Sequence, residues 1–139
     1  MRYFITRLII LATVLLAFTS CNSSTKPQEV AENFLNAYFA AEYEDAAKYC
    51  TPELGNDLLE ALKDAQALDE AIRANIQKHT KSYKPQIIKT EQPAKKDSVV
   101  INYIVTNINA DSLSSAANIK ESRLHIIKTE EGWRVSALK

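Results

Sequence analysis

The sequence predicts a single α+β domain in which three helices precede a four-stranded antiparallel sheet. Apolar residues recur at helical spacing up to about residue 80, and they alternate with polar residues from Pro85 onward. No helical pattern separates the alternating segments, so neighbouring strands should pair antiparallel. A chain of 139 residues has room for one such domain and for no second.

The N-terminal segment has the three parts of a secretory signal peptide. Arg2 and Arg7 form a positively charged region, the apolar run Leu8–Phe18 follows it, and the small residues Thr19-Ser20-Cys21 end the segment. As a helix, the apolar run spans about 16 Å, whereas the hydrocarbon core of a bilayer is about 30 Å thick. The run is too short for a transmembrane helix, and we predict a signal peptide over residues 1–20.

The end of this leader, Phe18-Thr19-Ser20-Cys21, resembles the lipobox of bacterial lipoproteins, although Phe18 stands where Leu is usual. In such proteins the cysteine is linked to diacylglycerol and becomes the new N-terminus, and several acyl chains make a stable anchor. We therefore predict lipid attachment at Cys21, a tether over residues 21–26 and a domain over residues 27–139. The alternatives are cleavage at another bond and a leader that stays as the anchor.

Net charge and cysteine content bear on nucleic-acid binding and on disulfide formation. Without Arg2 and Arg7, fifteen basic residues stand against seventeen acidic ones, so net charge gives no general attraction to nucleic acid. Once Cys21 is acylated, Cys50 has no partner for a disulfide, and we interpret it as a small buried apolar residue.

Three helices are predicted in the first half of the domain. The first begins at Pro27, whose missing N–H does no harm in a first turn. The second opens at Glu42-Tyr43-Glu44-Asp45, where acidic side chains suit the positive end of the helix dipole. The third begins at Thr51-Pro52-Glu53, keeps apolar spacing from Leu54 to Ile76, and ends near His79 to Lys81.

Four strands are predicted in the second half, because the period changes there from helical to alternating. Their inward residues are Ile87-Ile88, then Val99, Ile101, Tyr103 and Val105, then Leu124 and Ile126, and finally Trp133, Val135 and Ala137. The connections are Gln92 to Asp97, Asn107 to Asn118, and Glu130-Glu131-Gly132, where Gly can take a positive φ.

Two stretches of the chain resemble a known fold. They resemble the nuclear transport factor 2-like, or cystatin-like, superfamily. The stretches are PQEVAENFLNAYFAAEYEDAAKYCTPE at residues 27–53 and TEEGWRV at residues 129–135. In particular they are similar to small bacterial lipoproteins of the type called domain of unknown function 4878. Ala41-Glu42 stands where that pattern commonly has Gly-Asp. The resemblance implies a sheet curved around the helices into a cone, which is an open pocket in some relatives and filled in others.

The candidate pocket residues are Tyr38, Tyr103, His125 and Trp133, because aromatic rings with polar tips commonly hold small ligands. The alternative is that Tyr103 and Trp133 belong to the core, with the histidine at its rim. Neither His79 nor His125 has a carboxylate or cysteine at ligand spacing, so we predict no metal site.

Chemistry in the cone would require a carboxylate base and an oxyanion donor, as the resemblance to ketosteroid isomerases and polyketide cyclases implies. No carboxylate falls on the inward face of a predicted strand, and we predict no catalytic residue and no cofactor. The expected function is binding of a small apolar molecule or an envelope protein by a non-catalytic lipoprotein. The alternative is a small isomerase or cyclase-type enzyme that uses the cone.

Location and assembly are expectations from resemblance. Asn22, in place of Asp after the lipobox cysteine, favours the outer membrane, with the domain facing the periplasm. Dimerisation through the sheet is common in the superfamily, so a homodimer is one expectation and a monomer the other.

Overall fold

The computed structural model describes residues 25–109 and 120–139, so the leader, Cys21 and most of the tether lie outside the described residues. The helices are α1 (Pro27–Phe39), α2 (Tyr43–Ala47), α3 (Pro52–Gln66) and α4 (Glu70–Thr80). The strands are β1 (Tyr83–Glu91), β2 (Ser98–Asn107), β3 (Lys120–Thr129) and β4 (Gly132–Leu138). In the described part of the chain, every helix is too short or too polar to cross a membrane.

The prediction of three helices with one long third helix is wrong, because this segment forms both α3 and α4. The chain leaves the helical path after Gln66, and Asp69 starts a new helix by accepting a hydrogen bond from the Ala71 N–H at 2.8 Å. Leu68 nevertheless stays in phase with Ile72 and Ile76. The apolar spacing therefore continues across a break that the capping aspartate makes.

The sheet is an antiparallel meander with the order β1-β2-β3-β4, as predicted. Two bulges interrupt its register: Ile88 is the extra residue between the pairs Ile87 with Tyr103 and Lys89 with Asn102, and Ser136 is the extra residue on β4. A bulge shifts the side chains beyond it by one position, so that strict alternation of faces stops at that residue.

Helix α1 provides the side chains that cover the inner face of the sheet, and it contacts all four strands. It buries Val30, Ala31, Phe34, Leu35 and Ala37. The inner face supplies Val99, Ile101, Tyr103, Leu124, Ile126 and Val135 to the same core. Removal of this apolar surface from water is the main favourable contribution to folding.

The outer edge of β4 is joined to the helical half by two backbone hydrogen bonds. Thr51 N–H donates to the Val135 carbonyl and Val135 N–H donates to the Tyr49 carbonyl, each at 2.8 Å. This short parallel bridge fixes the junction between α2 and α3 against the sheet. The start of α3 is thereby placed beside the β3–β4 hairpin.

The turn after α1 holds a non-glycine residue in the left-handed region, since Ala41 has a φ of 61°. Glu42 N–H donates to the Ala37 carbonyl at 2.9 Å and Ala41 N–H to the Tyr38 carbonyl at 3.1 Å. These two bonds define a Schellman motif, whose left-handed position is usually glycine. The turn thus has the geometry that Gly favours, at the place where the family pattern commonly has Gly-Asp.

We expect Ala41→Gly to raise the free energy of unfolding by about 0.5–1 kcal/mol. A left-handed conformation costs an L-residue about 1–2 kcal/mol, and the extra chain entropy of Gly removes part of that gain. Ala40→Gly is the matched control, because Ala40 has an ordinary φ of −81° and should lose about 0.5–1 kcal/mol instead. Urea denaturation would measure both, and a loss of stability in Ala41→Gly would contradict the prediction.

Candidate ligand-binding site

Five aromatic side chains meet between α1 and the sheet. Tyr38 stacks on Phe34 with ring centroids 5.6 Å apart, and it makes edge contacts to Phe39 at 5.3 Å and to Tyr43 at 5.6 Å. Phe39 in turn reaches Tyr103 on β2 at 6.4 Å. These separations lie in the range of about 4.5–7 Å at which aromatic pairs attract. Tyr38 and Tyr103, both predicted pocket residues, therefore belong to one aromatic cluster.

Two phenol groups of this cluster, those of Tyr43 and Tyr103, stay neutral at physiological pH. Burial raises the pKa of Tyr103, and a hydrogen bond with Ser122 only partly opposes it. Burial also raises the pKa of Tyr43, and the neighbouring Tyr38 adds to the rise. A neutral hydroxyl can donate a hydrogen bond to a polar group of a ligand. Tyr43 is half-buried, so it is the member placed to meet one.

His125 lies on the other face of the sheet, where its cross-strand partners are Val100 and Ala137. Its cross-strand partner Val100 neighbours the buried Asn102, whose Nδ2 donates to Glu91 Oε1 at 2.9 Å. Partial burial lowers the pKa of His125, and the positive charges of Lys139 and Arg123 lower it further. The imidazole is therefore less readily protonated than an exposed one, and it lies on the side of the sheet opposite Tyr103.

Trp133 lies at the hairpin end of the inner face, where it pairs with Lys128 and packs against the core. Tyr103 pairs with Ser122, which lies six residues along β3 from Lys128, a separation of about 20 Å. The structure brings two of the four predicted pocket residues together, Tyr38 and Tyr103. It separates His125 by face and Trp133 by distance along the strand.

A cleft of about 380 Å³ opens beside Tyr43, between α3 and α4. Its apolar lining comes from Tyr43, Leu62, Ala65 and Ile76, together with Ala41 and Ala74, and its polar lining comes from Gln66, Glu70, Arg73 and Gln77. Small-molecule sites in proteins are clefts of about 300–1,000 Å³ with mostly apolar walls and a few polar groups. The cleft has this size and this mixture.

The sequence pattern does not predict this cleft, because its spacing indicates one continuous helix with Leu62, Ala65 and Ile76 against the core. The signal that was available is Asp69-Glu70 in the middle of that segment, since an aspartate followed by an acidic residue is a helix start. A break there turns one helix into two helices that enclose a cleft. Glu70 and Arg73 then lie in the first turn of α4 and form part of the wall of the cleft.

A second cleft, of about 460 Å³, lies between the start of α3 and the β3–β4 hairpin, and Cys50, Thr51 and Arg134 are among its lining residues. The Arg134 guanidinium donates through Nη1 to the Trp133 carbonyl at 3.0 Å, and its Nη2 lies 3.5 Å from Glu131 Oε2. The Arg134 guanidinium is therefore already paired with groups of its own hairpin. Within residues 25–109 and 120–139, no group of three or more His, Cys, Asp or Glu side chains could hold a metal ion.

Comparison with known proteins supports the fold. No family model matches the chain, and no curated protein matches it. A crystal structure from Campylobacter jejuni, provisionally described as an NTF2-like transpeptidase, is 17% identical, with a TM-score of 0.52 over 81% of this chain and 98% of that chain. RPA3114, a SEC-C motif containing protein from Rhodopseudomonas palustris, is 10% identical, with a TM-score of 0.50 over 84% of this chain and 79% of that chain. At such identities the likeness concerns the fold alone, and the fold of this chain is nuclear transport factor 2-like.

Proposed function

We propose that this protein is a lipid-anchored lipoprotein of the bacterial cell envelope that binds a small molecule without transforming it. The binding site is the cleft beside Tyr43, and its occupant has an apolar body and a polar end. The anchor is Cys21, which by its sequence context belongs to an outer-membrane lipoprotein facing the periplasm and resembling the domain of unknown function 4878 type.

The observation that carries the proposal is the mixed lining of the cleft. Tyr43, Leu62 and Ala65 offer an apolar wall next to the aromatic cluster, while Arg73 and Glu70 project from the first turn of α4. A guanidinium forms strong hydrogen bonds with carboxylate or phosphate groups, and the N-terminal turn of a helix also favours negative charge. An amphipathic molecule would satisfy both parts of this lining if its polar end carried an anionic group for Arg73 and a hydrogen-bond donor for Glu70.

The alternative function, an isomerase or cyclase, lacks support from the carboxylates. Such an enzyme needs an acid or base whose pKa is tuned by an apolar environment next to the reacting group. Every Asp and Glu in the described ranges is exposed, including Glu70 at the cleft. The neutral phenols of Tyr43 and Tyr103 could hold an oxyanion, yet no described carboxylate is buried beside them.

Native mass spectrometry of the protein purified from bacterial membranes tests the binding. We expect the wild type to carry a reproducible small-molecule mass that Ala65→Trp loses, because an indole at that position fills the cleft. Ala61→Trp is the matched control, since Ala61 is exposed on the same helix and lies away from the lining residues. Bare wild-type protein, or equal occupancy in both variants, would contradict the proposed site.

The same sample tests the anchor. The intact mass should correspond to a chain that begins at Cys21 and carries acyl groups, and the Cys21→Ala chain should keep residues 1–20. A wild-type chain that is cut at another bond, or that retains its leader, would refute lipid attachment while leaving the binding result unaffected.

A further inference from the structure

Helix α4 leaves most of its apolar side exposed to solvent. Leu68, which precedes the Asp69 cap, is 41% exposed, and Ile72 and Ile76 within the helix are 50% and 43% exposed. No residue of the helix is buried. Glu70, Ala74 and Gln77, on the opposite side of the helix from Ile72, line the cleft, and Arg73 and Ile76 lie at its rim. This is the reverse of an ordinary surface helix, whose apolar stripe faces the core.

Basic side chains flank this exposed stripe. At about 100° per residue, Lys78 lies on one side of Ile72, and Arg73, at the rim of the cleft, lies on the other. Further basic residues, Lys81 and Lys84, follow in the turn and at the start of β1, and both are exposed. Helices that lie on a membrane surface combine an apolar face with Lys and Arg on the polar flanks, where long stems let the charges reach the headgroups.

The chain reaches the domain next to this helix. Gln28, at the start of α1, lines one small cleft together with Pro85 at the start of β1, which follows α4 directly. Five residues lie between Cys21 and Pro27, and the six chain steps from one to the other span at most about 20 Å. A lipid on Cys21, which is part of the proposed function and on which this inference rests, would therefore hold α4 close to the bilayer.

We infer that Leu68, Ile72 and Ile76, called here the α4 outer surface, rest on the phospholipid surface of the membrane that holds the anchor. A tether makes such a weak contact effective, because it raises the local concentration of the partner surface. A second copy of the chain is a poorer occupant. Three half-exposed side chains offer on the order of 200 Å², against roughly 800 Å² per partner in a stable interface.

The test uses the full chain purified from membranes and placed in vesicles of phosphatidylcholine and phosphatidylglycerol. A polarity-sensitive fluorophore is attached to Asn75→Cys, which lies beside the α4 outer surface, or to Lys96→Cys beyond the far end of β1, about 30 Å from α4. We expect the emission of the first label to shift to shorter wavelength and that of the second to stay aqueous. Aqueous emission from both labels, or the same shift in both, would overturn the inference.

A double substitution identifies the contact. Leu68→Ser with Ile72→Ser, two positions outside the cleft lining, should abolish the shift at position 75 while the protein still floats with the vesicles, and Ala71→Ser on the same helix should leave the shift unchanged. A shift that survives the double substitution would overturn the inference. A concentration-dependent shift without vesicles would also overturn it, because a second copy would then occupy the surface.

Failure of the anchor is a separate outcome, in which the wild-type chain does not float. The chain from Asn22 onward, whose buried core lies between Val30 and Val135, is then held on vesicles by an N-terminal hexahistidine tag and a nickel-chelating lipid. A shift at position 75 in that sample supports the α4 contact even though the proposed anchor is wrong. Its absence overturns the contact as well.

Discussion

Replacing Phe34 with Ala is expected to lower the free energy of unfolding by about 3–5 kcal/mol. Phe34 is 0% exposed and lies in the middle of α1, the helix that contacts all four strands. Its ring also stacks on Tyr38, so the substitution removes an aromatic contact in addition to buried apolar area. Because a domain of this size is stable by only about 5–15 kcal/mol, the loss is a large part of the total.

Urea denaturation followed by circular dichroism measures this effect. Leu68→Ala is the control, because Leu68 is 41% exposed and its truncation should cost less than about 1 kcal/mol. Phe34→Leu keeps most of the volume and should cost clearly less than Phe34→Ala, which keeps the test informative if the alanine variant does not fold. A folded Phe34→Ala protein that loses no more stability than Leu68→Ala would show that α1 does not hold the core together.

The sheet could be predicted from the sequence because alternation is a local signal. Val99, Ile101 and Tyr103 all face the core as expected. The same alternation separates His125 from the pocket, since it stands between Leu124 and Ile126, which are both fully buried. This parity places the His125 side chain on the face opposite the core. The bulges at Ile88 and Ser136 cannot be predicted from this local signal, because the position of an extra residue depends on how two strands pair.

In the helical half, apolar spacing alone does not predict where a helix breaks or which of its faces is exposed. The spacing continues from Leu62 through Leu68 to Ile76, but it does not indicate whether a face meets the core or solvent. The capping bond of Asp69 decides that the segment is two helices, and the direction of the second helix then decides which side is exposed. Both the cleft and the exposed apolar stripe follow from this single break, so neither was predicted.

Cys50 is expected to react with thiol reagents about a thousandfold more slowly in the native protein than in the unfolded chain. Burial raises the pKa of this thiol from its ordinary value of 9.0 to about 12. The thiolate is the reacting form, and its fraction at neutral pH falls about tenfold for each unit by which the pKa rises. The side chain is 6% exposed, and its Sγ donates to the Ala46 carbonyl at 3.4 Å.

Alkylation at neutral pH, followed by mass spectrometry of the Cys50 peptide, would measure the two rates separately from any reaction at Cys21. Glu131→Cys provides the control. Glu131 is exposed and lines the same cleft as Cys50, the one between the start of α3 and the β3–β4 hairpin, so a thiol there should react at the rate of the unfolded chain. Native Cys50 that reacts as fast as this control would mean that the cleft admits reagents to an ionised thiol. A nucleophilic role would then have to be considered, whereas slow reaction agrees with a small apolar side chain that packs beneath the start of α3.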